Sequence, residues 1–150
     1  MKNIVLYVCL LIAATCFCGC GKDDYEDYLS DGWLTEADKK IASDPNSIIG
    51  AWELETLLGA FSIKVEIPSG HRDLYIFNSN GKVKCIINTK SDVPHLLKED
   101  GIYDYSYDEE KQIIIINRET YSCFVSDDEM HINIGYSSCY DGIYDFILKK

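Results

Sequence analysis

The sequence predicts an all-β protein, an antiparallel up-and-down β-barrel of eight to nine strands preceded by a targeting segment and a short helix. Three observations carry this. Downstream of Ile48, apolar and polar residues alternate with period two. Turn-forming clusters interrupt that alternation roughly every ten residues. No amphipathic helical stretch of useful length breaks the series. Antiparallel ribbons with one apolar face must bury that face and hide their edges, and closing the sheet on itself does both. A two-sheet sandwich is the rival arrangement of the same ribbons.

The elements follow in order. Met1-Lys2-Asn3 is a positively charged start, and residues 4–14 carry no charge. As a helix those eleven residues reach about 16 Å, short of the ~30 Å hydrocarbon core of a bilayer. This reads as a signal peptide over residues 1–19 rather than a membrane span. Residues 20–47 read as an acidic tether ending in a short helix. There Thr35 is the capping residue, Glu36 and Asp38 come early, Lys39 and Lys40 come late, and Asp44-Pro45 stops it. So short a helix needs a body to pack on, and Trp33 and Leu34 are the residues offered for docking.

Residues 48–150 form the barrel domain. Strands are expected at 51–58 and 61–67, the second ended by Pro68-Ser69-Gly70. Residues 74–78 and 82–88 flank Ser79-Asn80-Gly81, a strong hairpin signal. A polar loop with Pro94 and His95 fills 89–100. Strands at 102–107 and 112–117 flank Asp108-Glu109-Glu110-Lys111. The run Ile113-Ile114-Ile115-Ile116 suggests a strand covered at least partly on both sides. Strands at 121–125 and 130–136 flank Ser126-Asp127-Asp128-Glu129. If Asp127-Asp128 is a two-residue loop, Cys123 lies opposite Ile132. Asp141-Gly142 turns into a last strand at 143–148.

Composition excludes several classes. The chain of 150 residues has 14 Lys plus Arg against 25 Asp plus Glu, a net charge of -11. A polyanion would be repelled, so nucleic acid is no partner. An apolar fraction of 47% with 11 Tyr excludes a disordered chain, and 3 Pro exclude a Pro-rich one. An acidic body is also repelled by anionic lipid head groups, so a tether would hold it off the membrane.

Two resemblances add to this. Phe17-Cys18-Gly19-Cys20 resembles a bacterial lipobox, with Phe17 in place of the usual Leu. The resemblance implies a lipoprotein whose first mature residue, Cys20, carries the acyl chains, palmitate among them. Two or more chains hold a protein stably on a membrane. Lys22-Asp23-Asp24 resembles the Lys-acidic-acidic export signal of Bacteroidota lipoproteins, which implies the outer membrane and a face toward the cell exterior. The barrel region resembles the lipocalin-like domains of the calycin superfamily. Gly50-Ala51-Trp52 matches the Gly-x-Trp of the first strand. Tyr75 to Gly81 matches the aromatic Asn-Gly hairpin, Gly101-Ile102-Tyr103 a Gly-x-Tyr strand start, and Tyr144 to Lys150 the closing strand. Lys149 or Lys150 stands where lipocalins stack an Arg on that Trp, so a cation over Trp52 is expected.

Chemistry-bearing patterns are sparse. His71, His95 and His131 show no metal-ligand spacing, so neither metal nor cofactor is expected. His71-Arg72-Asp73-Leu74 spells a kinase catalytic-loop tetrapeptide without its companion motifs, and chance explains it. Asp104 and Glu66 are the candidates for a carboxylate pair, with solvated strand faces the simpler account. Cys85, Cys123 and Cys139 remain after the signal and anchor cysteines, an odd number. Cys85 and Cys123 suit the core, and no pairing is assigned. Tyr75, Tyr103, Tyr105, Tyr121 and Tyr136 are the candidate ligand-binding residues, since Tyr offers apolar area and a hydroxyl to a small molecule, sugar or peptide.

The expected function is a cell-surface, lipid-anchored, non-catalytic lipocalin-like binding domain, its mouth rimmed by loops 68–73, 89–100 and 138–142. A protein-binding accessory subunit or protease inhibitor is the alternative, and a glycan-acting enzyme a third. An open Tyr-lined cavity favours a small ligand. A filled barrel with exposed apolar residues favours a protein partner.

Overall fold

Among the described residues of the computed structural model, eight antiparallel strands close into a barrel, with a ninth strand and one short helix added. The helix is α1 (Glu36–Ala42). The strands are β1 (Gly50–Leu58), β2 (Lys64–Glu66), β3 (Leu74–Phe77), β4 (Lys82–Ile86), β5 (Gly101–Asp108), β6 (Ile113–Ile116), β7 (Glu119–Ser126), β8 (Glu129–Ile134) and β9 (Tyr144–Lys149). Residues 32–59, 64–89, 95–134 and 144–150 are described. The signal peptide, Cys20, Lys22, Asp23, Asp24, Tyr136, Cys139 and loop 138–142 lie outside them. From β3 to β9 each strand pairs with the next, and β1 pairs with both β3 and β9, which closes the ring. This is the up-and-down architecture of lipocalin-like domains.

β2 and β3 share one place in the wall. β1 pairs through Thr56–Leu58 with β2 and through Gly50–Glu53 with β3, both antiparallel. The two strands that the sequence separates at Pro68-Ser69-Gly70 are therefore collinear pieces of one interrupted strand. The chain leaves the wall where Ile67 N donates to Glu55 O (2.8 Å) and returns where Asp73 O accepts from Leu54 N (2.8 Å). In between, Pro68 has no N–H to offer a ladder, and Gly70 takes φ +84°.

A bulge in β1 sets which side chains face inward. Leu54 pairs with Leu148 but Thr56 with Ile147, so Glu55 is the extra residue. Trp52 and Leu54 point inward before it, and Leu57 after it. Strict alternation from Leu54 would have exposed Leu57, whereas past the bulge Leu57 is buried and Thr56 beside it is buried as well. The core is continuous: Trp52, Tyr75, Phe77, Val83, Ile114, Met130, Ile132, Phe146 and Leu148 are all fully buried. The turns follow their residues. Asn117-Arg118 and Asp127-Asp128 are two-residue turns with both φ positive, and Cys123 does lie opposite Ile132. Gly81 (φ +81°) closes the β3–β4 turn.

Ile113–Ile116 is covered only in part on its outer side: Ile114 and Ile116 are buried, Ile113 is half-buried and Ile115 is exposed. The loop over 89–100 also reaches inward, since Leu96 and Leu97 join the core.

The N-terminal arm covers one end of the barrel. Thr35 and Asp38 form a reciprocal capping box on α1. Asp38 Oδ1 also accepts from Ser79 N (2.9 Å), Trp33 Nε1 donates to Ile76 O (3.0 Å), and Leu34 is buried. Asp128 N donates to Pro45 O (3.1 Å), which ties the β7–β8 turn to the same arm.

Candidate functional site

At the covered end, Trp52 is fully buried and its Nε1 donates to Ile48 O (2.8 Å). Lys150 Nζ stands over the ring, 5.0 Å from its centroid, so the expected cation is present. The role of the motif glycine is steric. Gly50 has φ +135°, and a Cβ there would lie 2.8 Å from Lys150 Cε and 3.2 Å from Ala42 Cβ.

The four described candidate tyrosines do not converge on one open face. Tyr75 is fully buried, its hydroxyl 3.5 Å from Asp73 Oδ2. Tyr105 meets Phe77 edge-on at 4.9 Å and donates to Asn78 O (2.8 Å) near the covered end. Tyr103 donates to Glu99 O (2.8 Å), and Tyr121 to Glu119 Oε2 (2.6 Å). Burial pushes the pKa of all four phenols up, that of Tyr105 to about 12. Their hydroxyls therefore stay protonated and each is engaged within the wall.

Asp73 and Arg72 are the sites that sequence reasoning missed. Asp73 is fully buried where the interrupted strand re-enters the wall. Its Oδ1 accepts from Asn88 N (2.9 Å), Thr89 N (2.9 Å) and Thr89 Oγ1 (2.8 Å). Its Oδ2 lies 2.8 Å from His95 Nδ1, and the acceptor role of the carboxylate puts the proton on that nitrogen. One carboxylate thus anchors the segment that carries Leu96 and Leu97 into the core. Its neighbour Arg72 turns outward and is held at three points: Ile67 O (3.1 Å), Glu53 Oε2 (3.2 Å) and Glu55 Oε1 (3.2 Å). Glu53 and Glu55, two residues apart on β1, share the outer face by the pleat of the strand. No local signal marks these roles, because Asn88, Thr89 and His95 lie 15 to 22 residues from Asp73, and the two acids that hold Arg72 lie 17 to 19 residues from it.

The remaining reactive groups are dispersed. Cys85 and Cys123 are buried free thiols, and burial pushes both to about 12. Glu66 pairs with Lys64 on β2 (2.8 Å), whereas Asp104 pairs with Lys82 across β4 and β5 (2.5 Å), so the two candidate carboxylates belong to different ion pairs. His131 sits on the outer face of β8, 3.5 Å from Glu129. Among the described residues no group of His, Cys, Asp and Glu is placed to hold a metal, and no helix is long and apolar enough to cross a membrane.

The interruption between β2 and β3 opens a cavity of about 440 Å³ on the side of the barrel, between β2, the turn after it, Thr56 and Arg72. Comparison of the chain with protein-family models, with curated proteins and with solved structures gives no match.

Proposed function

We propose that this protein is a lipid-anchored, non-catalytic lipocalin-like binding domain of the Bacteroidota surface-lipoprotein kind, which takes its ligand on the outside of the barrel wall. The close packing of the described core side chains supports the reading. Trp52, Tyr75, Phe77, Met130 and Phe146 are all fully buried, and Leu96 and Leu97 add to the core from the loop side. A ligand inside would have to displace close-packed side chains. The protonated thiols, and the separate ion pairs of Glu66 and Asp104, support a binding role over catalysis. The location rests on Cys20 and on Lys22-Asp23-Asp24.

The test uses the full chain in a Bacteroidota host. Cys20→Ala should release the protein from the outer-membrane fraction, and intact cells should lose their antibody-accessible pool. Fatty acids should leave the melting temperature of the purified protein unchanged. A membrane-bound Cys20→Ala variant defeats the anchor, and a fatty acid that raises the melting temperature puts the ligand inside.

A protein partner is the second reading. Ile102 (60% exposed) and Phe124 (47%) present large apolar side chains on the outer face of β5 and β7. Ile102→Lys and Phe124→Lys should abolish co-purification of a stoichiometric partner if that reading holds.

A further inference from the structure

We propose that the cavity beside the interrupted strand binds a neutral saccharide. This rests on the outside-the-wall reading above and names its ligand class.

Charge is the first argument. The cavity is faced by two acids and two bases already paired, Arg72 with Glu55 (3.2 Å) and Lys64 with Glu66 (2.8 Å). Lys149 holds Glu55 from the other side (3.1 Å). The two acids and two bases of the lining balance, so the cavity offers an ionic ligand no unmatched counter-charge. A polyhydroxylated ligand needs none, because each hydroxyl both donates and accepts and so bridges a carboxylate to an ammonium or guanidinium.

Rigidity is the second. The Arg72 side chain is only 22% exposed and makes three hydrogen bonds, so the floor is ordered before any ligand arrives. Pre-organisation removes much of the entropy cost of binding. Shape and polarity are the third. About 440 Å³ lies within the roughly 300–1,000 Å³ usual for ligand sites. Exposed Pro68 offers apolar C–H surface to a sugar ring, and Ser69 beside it offers one more hydroxyl.

The experiment titrates the full chain in mild detergent with maltose, cellobiose, lactose and mannobiose, with glucuronate and glucosamine as charged comparisons. Calorimetry should find saturable binding of at least one neutral disaccharide and weaker binding of both charged sugars. Ser69→Trp fills the cavity from an exposed turn and should weaken that binding at least tenfold at an unchanged melting temperature. If that variant misfolds, Glu66→Ala at the exposed rim should still weaken it several-fold. The proposal falls if no neutral sugar binds, if a charged sugar binds more tightly, or if the folded variants bind as well as the parent. Those results leave the outside-the-wall reading in place, which only an interior ligand such as a fatty acid removes.

Discussion

Lys150 and Trp52 close the covered end of the barrel as a stacked pair. The Lys150 ammonium lies 5.0 Å from the centre of the indole and donates to the carbonyls of Asp44 and Ser47, at 2.9 Å each. One cation thereby joins the last residue of the chain, the first strand and the arm that follows α1. Lys150→Met should cost about 1–3 kcal/mol, from the lost cation–π contact and two carbonyls left without a donor. Lys150→Arg should recover most of it. Urea unfolding followed by tryptophan fluorescence measures both, and a Met variant as stable as the parent would show the stack to be incidental.

Asp38 should make the stability of this end depend on acid. Burial pushes its carboxyl up, but hydrogen bonds from Ser79 and Thr35 outweigh that and bring it to about 2 from an ordinary 3.8. A carboxyl lowered in the folded state stabilises it above the ordinary value and loses that contribution as pH falls through the lowered one. Asp38→Ala should therefore cost about 1–2 kcal/mol at pH 6. The difference from the parent should shrink between pH 4 and pH 2, where the wild-type carboxyl also becomes neutral. A gap that stays constant across that window would place the effect elsewhere.

Asp73→Ala should be among the most damaging single changes. It strips the acceptor from two backbone N–H groups, a hydroxyl and an imidazole at once. Leaving buried donors unpaired costs about 3 kcal/mol or more. Asp73→Asn keeps one acceptor oxygen and should cost less. Hydrogen exchange should show the loss concentrated at Asn88, Thr89, Leu96 and Leu97, and uniform exchange would contradict the anchoring role.

The two core thiols should be inert in the native protein. Burial holds Cys85 and Cys123 near 12, so almost no thiolate exists at pH 8. Iodoacetamide should leave both unmodified in the folded chain and alkylate both in guanidinium chloride, as read by peptide mass spectrometry. Rapid labelling of either in the folded state would mean that the core around it opens.

Much of the barrel is legible locally. Tyr103, Tyr105 and Tyr107 alternate with exposed residues as the pattern requires. Asp127-Asp128 makes the two-residue turn that puts Cys123 beside Ile132. Such features depend on neighbours a few residues apart, and period-two burial with turn chemistry is written into the chain. The Asp73 anchor and the Arg72 clamp are not written that way. His71-Arg72-Asp73-Leu74 looks like an accident of sequence until its partners at Glu53, Glu55, Thr89 and His95 are brought beside it.

By itself the sequence determined the run of eight to nine antiparallel ribbons and the face most of them bury, because period-two burial and turn chemistry act between near neighbours along the chain. Only the tertiary structure decided that β2 and β3 share one seat in the wall, that the side chains around Trp52 and Tyr75 are fully buried, and that a cavity opens on the flank. Those outcomes depend on closing the ring through β1 and β9, which brings together residues from opposite ends of the fold.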